Sequence, residues 1–223
     1  MTILGTDRAS LTGPEYEQLV ERLSVEERPI DDEIILEVMD EIDGCPKNGG
    51  ALLRKFEIVD DDGVFEYVSE TPNASRYSLL QTSGFLHDFL RSKELNESIE
   101  GLNTENGFSG YHWKEKDGEP IGADEEQELD WYHSLHVDGY LAWVMCRGGA
   151  YESFGGTQAE AKSLGRQFDQ AVINDRYEDF FAWRIPNKQW SEWFIGVIHW
   201  DETLLLVDKE KKVIWLFMFT STS

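Results

Sequence analysis

The stretch from Trp190 to Phe219 constrains the fold more than any other. It reads Trp-Ser-Glu-Trp-Phe-Ile-Gly-Val-Ile-His-Trp, then Asp-Glu, then Thr-Leu-Leu-Leu-Val-Asp, a lysine-rich turn, and Val-Ile-Trp-Leu-Phe-Met-Phe. Short runs rich in β-branched and aromatic residues, broken by charged pairs, predict an antiparallel meander. Trp193–Trp200 and Val213–Phe219 are largely apolar at both alternating sets of positions. Strands of that kind are central and covered on both faces, so these tryptophans are expected to be core rather than surface. The rest of the chain must supply the cover.

Helix signals are spread along the chain. Thr12-Gly-Pro-Glu15 has capping-box spacing, with Tyr16, Leu19, Val20 and Leu23 at helical intervals and Pro29 as the exit. Asp31, Asp32 and Glu33 then suit the positive end of a second helix, with Ile34, Ile35, Val38 and Ile42 on one face and Gly44 as its stop, although the β-branched content also permits a strand. A third helix is expected from about Ser78 to Lys93, with Leu79, Leu86, Phe89 and Leu90 turned inward. Thr157-Gln-Ala-Glu160 is a second capping box, and Ala161, Leu164, Phe168 and Val172 follow as a clean stripe.

Strands are expected at 52–67, 140–146, 150–154 and 177–185. The first is read as a hairpin, because Asp60-Asp61-Asp62-Gly63 sits between two apolar runs. Tyr140-Leu-Ala-Trp-Val-Met-Cys146 is read as one strand, followed by a Gly148-Gly149 turn. Residues 94–130 are read as a long loop, with a short strand at Tyr111–Trp113. The predicted class is α+β: a mainly antiparallel sheet of about five to seven strands under three to four helices. A single domain over 1–223 is expected, with a soft boundary in 94–130 dividing 1–93 from 131–223.

Charge limits the partners. The chain of 223 residues carries 44 acidic against 20 basic side chains, a formal net charge of −24. Nucleic acid and anionic membranes are disfavoured, since phosphate binding needs clustered Lys and Arg. A basic protein is the expected partner. The acids concentrate at 26–43, at 60–62 and at 124–130. The residues predicted to bind are Asp31, Asp32, Glu33, Asp60, Asp61, Asp62, Asp124, Glu125, Glu126, Glu128, Asp130 and Trp131. The N-terminus has no apolar run preceded by basic residues, and no window approaches the length of a membrane span. With Cys45 and Cys146 as its two cysteines, the chain is expected to be a cytoplasmic protein with reduced thiols.

Motifs for chemistry are weak. His133-Ser-Leu-His136-Val-Asp138 is the most metal-like group, but its Asp-Gly ending looks more like a turn. Cys146-Arg-Gly-Gly149 offers a thiol beside a cation and free amides, yet a cysteine ending an apolar strand is usually a small buried hydrophobe. Any of His112, His133, His136 and His199 could serve it as a base. The glycines from Gly148 to Gly156 lack either phosphate-loop order, and Asp60–Asp62 lack the spaced ligands of an EF-hand. No cofactor and no metal are expected.

Pro46-Lys-Asn-Gly-Gly50, Trp193-Phe-Ile-Gly196 and Leu204-Leu-Leu-Val-Asp208 with Val213-Ile-Trp215 loosely resemble the SUKH-type immunity proteins. The motifs are short, their spacing is longer than in that family, and the expected hairpin at 52–68 has no counterpart there. The charge balance points the same way: a protein-binding module of immunity or antitoxin type that neutralises a basic protein. An enzyme using Cys146 or His133, His136 and Asp138 is the alternative, and a DNA-mimicking or structural protein is a third.

Overall fold

The computed structural model describes residues 22–45, 49–59, 63–70, 85–92, 95, 98–99, 130–147, 154–186, 193–194 and 201–221. Within these, one antiparallel sheet runs through the molecule in the order β1-β2-β6-β5-β4-β3. The strands are β1 (Ser24–Arg28), β2 (Gly49–Val59), β3 (Asp130–Tyr132), β4 (Phe180–Pro186), β5 (Glu202–Asp208) and β6 (Val213–Ser221). The helices are α1 (Glu33–Asp43), α2 (Val64–Glu70), α3 (Phe85–Arg91), α4 (Val137–Arg147) and α5 (Gln158–Val172). The α+β class is as expected. Strands from both sides of 94–130 share the sheet, because β2 pairs with β6 along its length.

The centre of the sheet follows from its sequence. Every residue of β5 and β6 is buried, and alternate side chains enter different cores. Leu205, Val207, Ile214, Leu216 and Met218 pack with Phe65, Val68, Leu86 and Phe89 of α2 and α3. Leu204, Leu206, Trp215, Phe217 and Phe219 pack on the other face, under α1, α4 and α5. Full burial of one such side chain contributes about 2 kcal/mol, so this pair of strands is the main apolar anchor of both layers.

The meander is present, but shifted. Its strands are β4, β5 and β6, joined in consecutive antiparallel pairs. The expected strand at Trp193–Trp200 is not seen in its described part: Trp193 and Phe194 form a buried turn against the α2–α3 core. Residues 195–200 lie outside the described residues. The β5–β6 turn is tied by Asp208, whose Oδ1 accepts from the N–H groups of Glu210 (3.1 Å) and Lys211 (3.0 Å).

Three further expectations need correction. Residues 24–28, expected inside a helix ending at Pro29, are the edge strand β1, whose Ser24–Arg28 pairs with Val59–Lys55. The helix predicted from Thr12 otherwise lies outside the described residues. The second half of the expected hairpin is the helix α2, because Val64, Phe65 and Val68 must all face one core and helical spacing brings them together. Most consequentially, Tyr140–Cys146 is helix, within α4. Val137, Tyr140, Leu141, Val144 and Met145 recur at helical intervals and are buried, in a core that α5 shares. The expected strands at 111–113 and 150–154 lie outside the described residues, apart from Phe154, which is not in a strand.

The other helix signals hold. Asp32 caps α1, accepting at Oδ1 from the N–H groups of Ile34 (3.0 Å) and Ile35 (3.2 Å). Thr157 and Glu160 form the reciprocal capping box of α5. Helix α5 then crosses α4 so closely that a Cβ on Gly165 would lie 2.2 Å from the carbonyl oxygen of Asp138. Of the helix expected at 78–93, Phe85–Arg91 is the described part.

Candidate functional site

Two regions carry chemistry, and they differ in sign. The first is the outer surface of α1. Ile35, Val38, Met39 and Ile42 face the core, which leaves Asp31, Asp32, Glu33, Glu37, Asp40, Glu41 and Asp43 all exposed. No Lys or Arg occurs from Asp31 to Gly44. Asp32 is occupied as the N-cap, and the Asp43 carboxylate accepts from Ala51 N–H at 2.7 Å. Ile34 and Leu36 flank the buried stripe and are 47 % and 45 % exposed. The predicted residues Asp31, Asp32 and Glu33 thus share one acidic patch with apolar side chains inside it. Asp60–Asp62 and Asp124–Glu128 lie outside the described residues. Asp130 and Trp131 are in β3, paired by backbone with Arg184 and Trp183.

The second region is a cleft of about 400 Å³ beside α4, α5 and the β3–β4 edge. Its lining includes Tyr132, His136, Tyr140, Trp143, Lys162 and Arg184. Beneath it lies Glu202, only 2 % exposed. Its carboxylate accepts from Arg184 Nε (2.9 Å) and Nη2 (2.8 Å), from Arg147 Nη1 (3.2 Å) and from the Tyr140 hydroxyl (3.1 Å). These bonds satisfy a charge that burial alone would make very costly. Arg184 is held all the more firmly in its charged form, chiefly by its hydrogen bond to Glu202. Burial, reinforced by the Glu202 charge, pushes the Tyr140 phenol well above its ordinary range.

Aromatic rings frame these cations. The Arg147 guanidinium lies 4.6 Å from the Trp143 ring centre, and Arg184 lies 5.3 Å from Trp143 and 5.6 Å from Tyr140. Tyr132 meets His136 and Tyr140 edge-on, with ring centres 5.7 and 5.6 Å apart. Lys162 reaches the Asp138 carboxylate at 2.5 Å.

The His133, His136 and Asp138 group is not assembled for a metal. The His133 Nδ1 accepts from Leu135 N–H at 3.2 Å, capping a short 3-10 turn over Ser134–His136, and Asp138 is engaged by Lys162. Among the described residues, no three His, Cys, Asp or Glu side chains gather as a metal site. Cys146 is half-buried on α4 instead of ending a strand beside a glycine turn. The neighbouring Arg147 is directed to Glu202 and Trp143. Of its four candidate bases, His112 and His199 lie outside the described residues, while His133 and His136 lie near each other, with ring centres 6.0 Å apart and planes tilted by 48°.

Sequence reasoning missed Glu202, Arg184, Lys162 and Trp143. One signal was there: Arg184 is the single charge inside the apolar run Phe180–Ile185, and Glu202 opens a strand that is otherwise apolar or neutral up to Asp208. Lone charges in such strands are paired when buried.

No family model matches the chain, and neither does any curated protein or solved structure. Of the motifs resembling SUKH-type proteins, Leu204–Asp208 and Val213–Trp215 are the central strands and Trp193–Phe194 is the buried turn, so those described residues serve the core. No helix among the described residues is long and apolar enough to cross a membrane.

Proposed function

We propose that the chain is a protein-binding module of immunity or antitoxin type, acting in the cytoplasm, that captures a basic partner protein on the outer surface of α1. The observation that supports this reading is the run of seven exposed carboxylates from Asp31 to Asp43 with no basic residue among them. Such a patch accelerates encounter with a cationic partner, while Ile34 and Leu36 provide apolar contacts that slow separation.

The test combines charge removal with salt. The tagged chain is used to capture partners from its native host, and the captured protein is purified and titrated against the chain and its triple variant Glu33→Gln, Glu37→Gln, Glu41→Gln. The triple variant spares the Asp32 cap. A basic partner that binds at low salt, weakens as ionic screening shortens to about 3 Å in 1 M salt, and loses at least roughly tenfold in affinity with the triple variant is the expected result. Unchanged affinity in the triple variant would sink the assignment to α1. A partner displaced by double-stranded DNA would favour the DNA-mimic reading.

A further inference from the structure

We propose that the cleft over Glu202 binds a small planar molecule carrying a carboxylate or phosphate group. This site is separate from the acidic surface of α1 and does not depend on the function proposed for it.

The cleft is preorganised. Arg184 gives two of its five N–H groups to Glu202 and is packed against Tyr140 and Trp143. Its guanidinium is therefore fixed in place at the cleft wall. A buried ion pair is a poor device for stability alone, since apolar residues of similar volume do as well or better. Here its consequence is a rigid, always-charged donor facing an open cleft, and a guanidinium is the group best matched to carboxylate and phosphate oxygens.

Charge at the cleft runs against that of the chain. Among the described side chains, the ion pairs at the cleft join Arg147, Arg184, Lys162 and Arg166 to Glu202 and Asp138, four cations to two anions. These ion-paired groups together carry +2 in a chain whose formal net charge is −24. With the rest of the chain acidic, that excess selects a small anion that fits into the cleft and disfavours a polyanion such as nucleic acid.

The walls of the cleft suit a flat ligand. Tyr132, His136 and Trp143 supply flat surfaces, and Trp143 and Leu135 remain 40 % and 54 % exposed at the rim. A bare inorganic anion would leave these unused. The volume of about 400 Å³ lies at the small end of ordinary ligand sites, which suits one or two fused rings.

The whole chain is titrated calorimetrically with 1-naphthoate, 1-naphthyl phosphate, the neutral 1-naphthylmethanol and inorganic phosphate. One of the two aromatic anions is expected to bind at one per chain with a Kd below about 1 mM, and the neutral and inorganic probes at least roughly tenfold more weakly. Which anion binds tighter separates a carboxylate ligand from a phosphate ligand. Trp143→Ala and Lys162→Gln, both at the surface, are each expected to weaken binding by at least about fivefold with the thermal unfolding transition retained. Absence of saturable binding by both anions, equal binding of the alcohol, or a Trp143→Ala protein that titrates like the parent would overturn the proposal. Replacing Arg184 is a weaker test, because it strands the Glu202 charge.

Discussion

Arg184 clasps Glu202 diagonally across the β4–β5 ladder, with Nε–Oε2 at 2.9 Å and Nη2–Oε1 at 2.8 Å. Arg184 lies opposite Leu204 in the register, so Glu202 is two residues along on the same sheet face. That face is the one under α4, which is why Tyr140 reaches the same carboxylate. One acid thereby joins a helix to two strands.

The consequence is asymmetric. Glu202→Ala leaves the Arg184 guanidinium, one-quarter exposed, without its main partner, and is expected to cost about 3–5 kcal/mol. The double variant Arg184→Leu, Glu202→Leu removes both charges and is expected to cost less than the single one. Urea denaturation of the three proteins measures this. A double variant less stable than the single variant would show that the pair acts independently of its charges.

Gly165 sits where α5 crosses α4 over the Asp138 carbonyl, and any Cβ there would stand 2.2 Å from that oxygen. The obstacle is backbone, so it cannot rotate away. Gly165→Ala is expected to destabilise the fold by about 1–3 kcal/mol through overpacking, despite alanine's better helix propensity. Because Lys162 and Asp138 bridge the same two helices, the variant is also expected to weaken the calorimetric response of the cleft. A gain in thermal stability would mean that the two helices do not pack this closely.

What the sequence disclosed depended on pattern length. The strands around Leu204–Val207 and Val213–Phe219 are apolar at every position, and their burial in two layers follows from that. The acids at Asp31–Glu33 and the capping box at Thr157 are local chemistry, and a helix begins at each. Helices α2 and α4 were hidden for a different reason. Val64–Glu70 is too short for its period to show, and the apolar run around Tyr140–Met145 suits a buried strand as well as a buried helix. The second error also concealed the cleft. Trp143 comes from α4, Lys162 from α5, Arg184 from β4 and Glu202 from β5, so no local motif contains them. The acidic patch was legible because its carboxylates lie close together in sequence, on one helix and the two residues before it.

Thr157 Oγ1 accepts from Glu160 N–H at 3.2 Å, and Glu160 Oε2 accepts from Thr157 N–H at 2.6 Å. Thr157→Ala is expected to cost about 0.5–2 kcal/mol. The bonds from the Thr157 backbone and hydroxyl hold the Glu160 carboxyl below its usual range. A lowered folded-state value means that this contribution is present above the unfolded value and fades as pH falls through the folded one. The stability difference between parent and Thr157→Ala is therefore expected to narrow on acidification below about pH 4.3. Thermal melts at pH 7 and pH 3 measure it, and a difference that widened in acid would contradict the capping geometry.

Cys45 is buried at the end of α1, donating from Sγ to the Glu41 carbonyl oxygen at 3.1 Å. Burial, then the charges of Glu41, Cys146 and Asp43, pushes its thiol up from 9.0 to about 11. Because the folded value is raised, the stabilising effect is complete below the unfolded value and is lost as pH rises through the folded one. The protein is thus expected to lose stability between about pH 9 and pH 11, and Cys45→Ala is expected to flatten that part of the profile. At pH 8 a thiol reagent is expected to modify half-buried Cys146 first and Cys45 only when urea unfolds the chain. Peptide mapping after timed labelling decides between them. Fast modification of Cys45 in the folded protein would mean that the C-terminal end of α1 opens readily, and its packing against the sheet could then not be what holds the acidic helix in place.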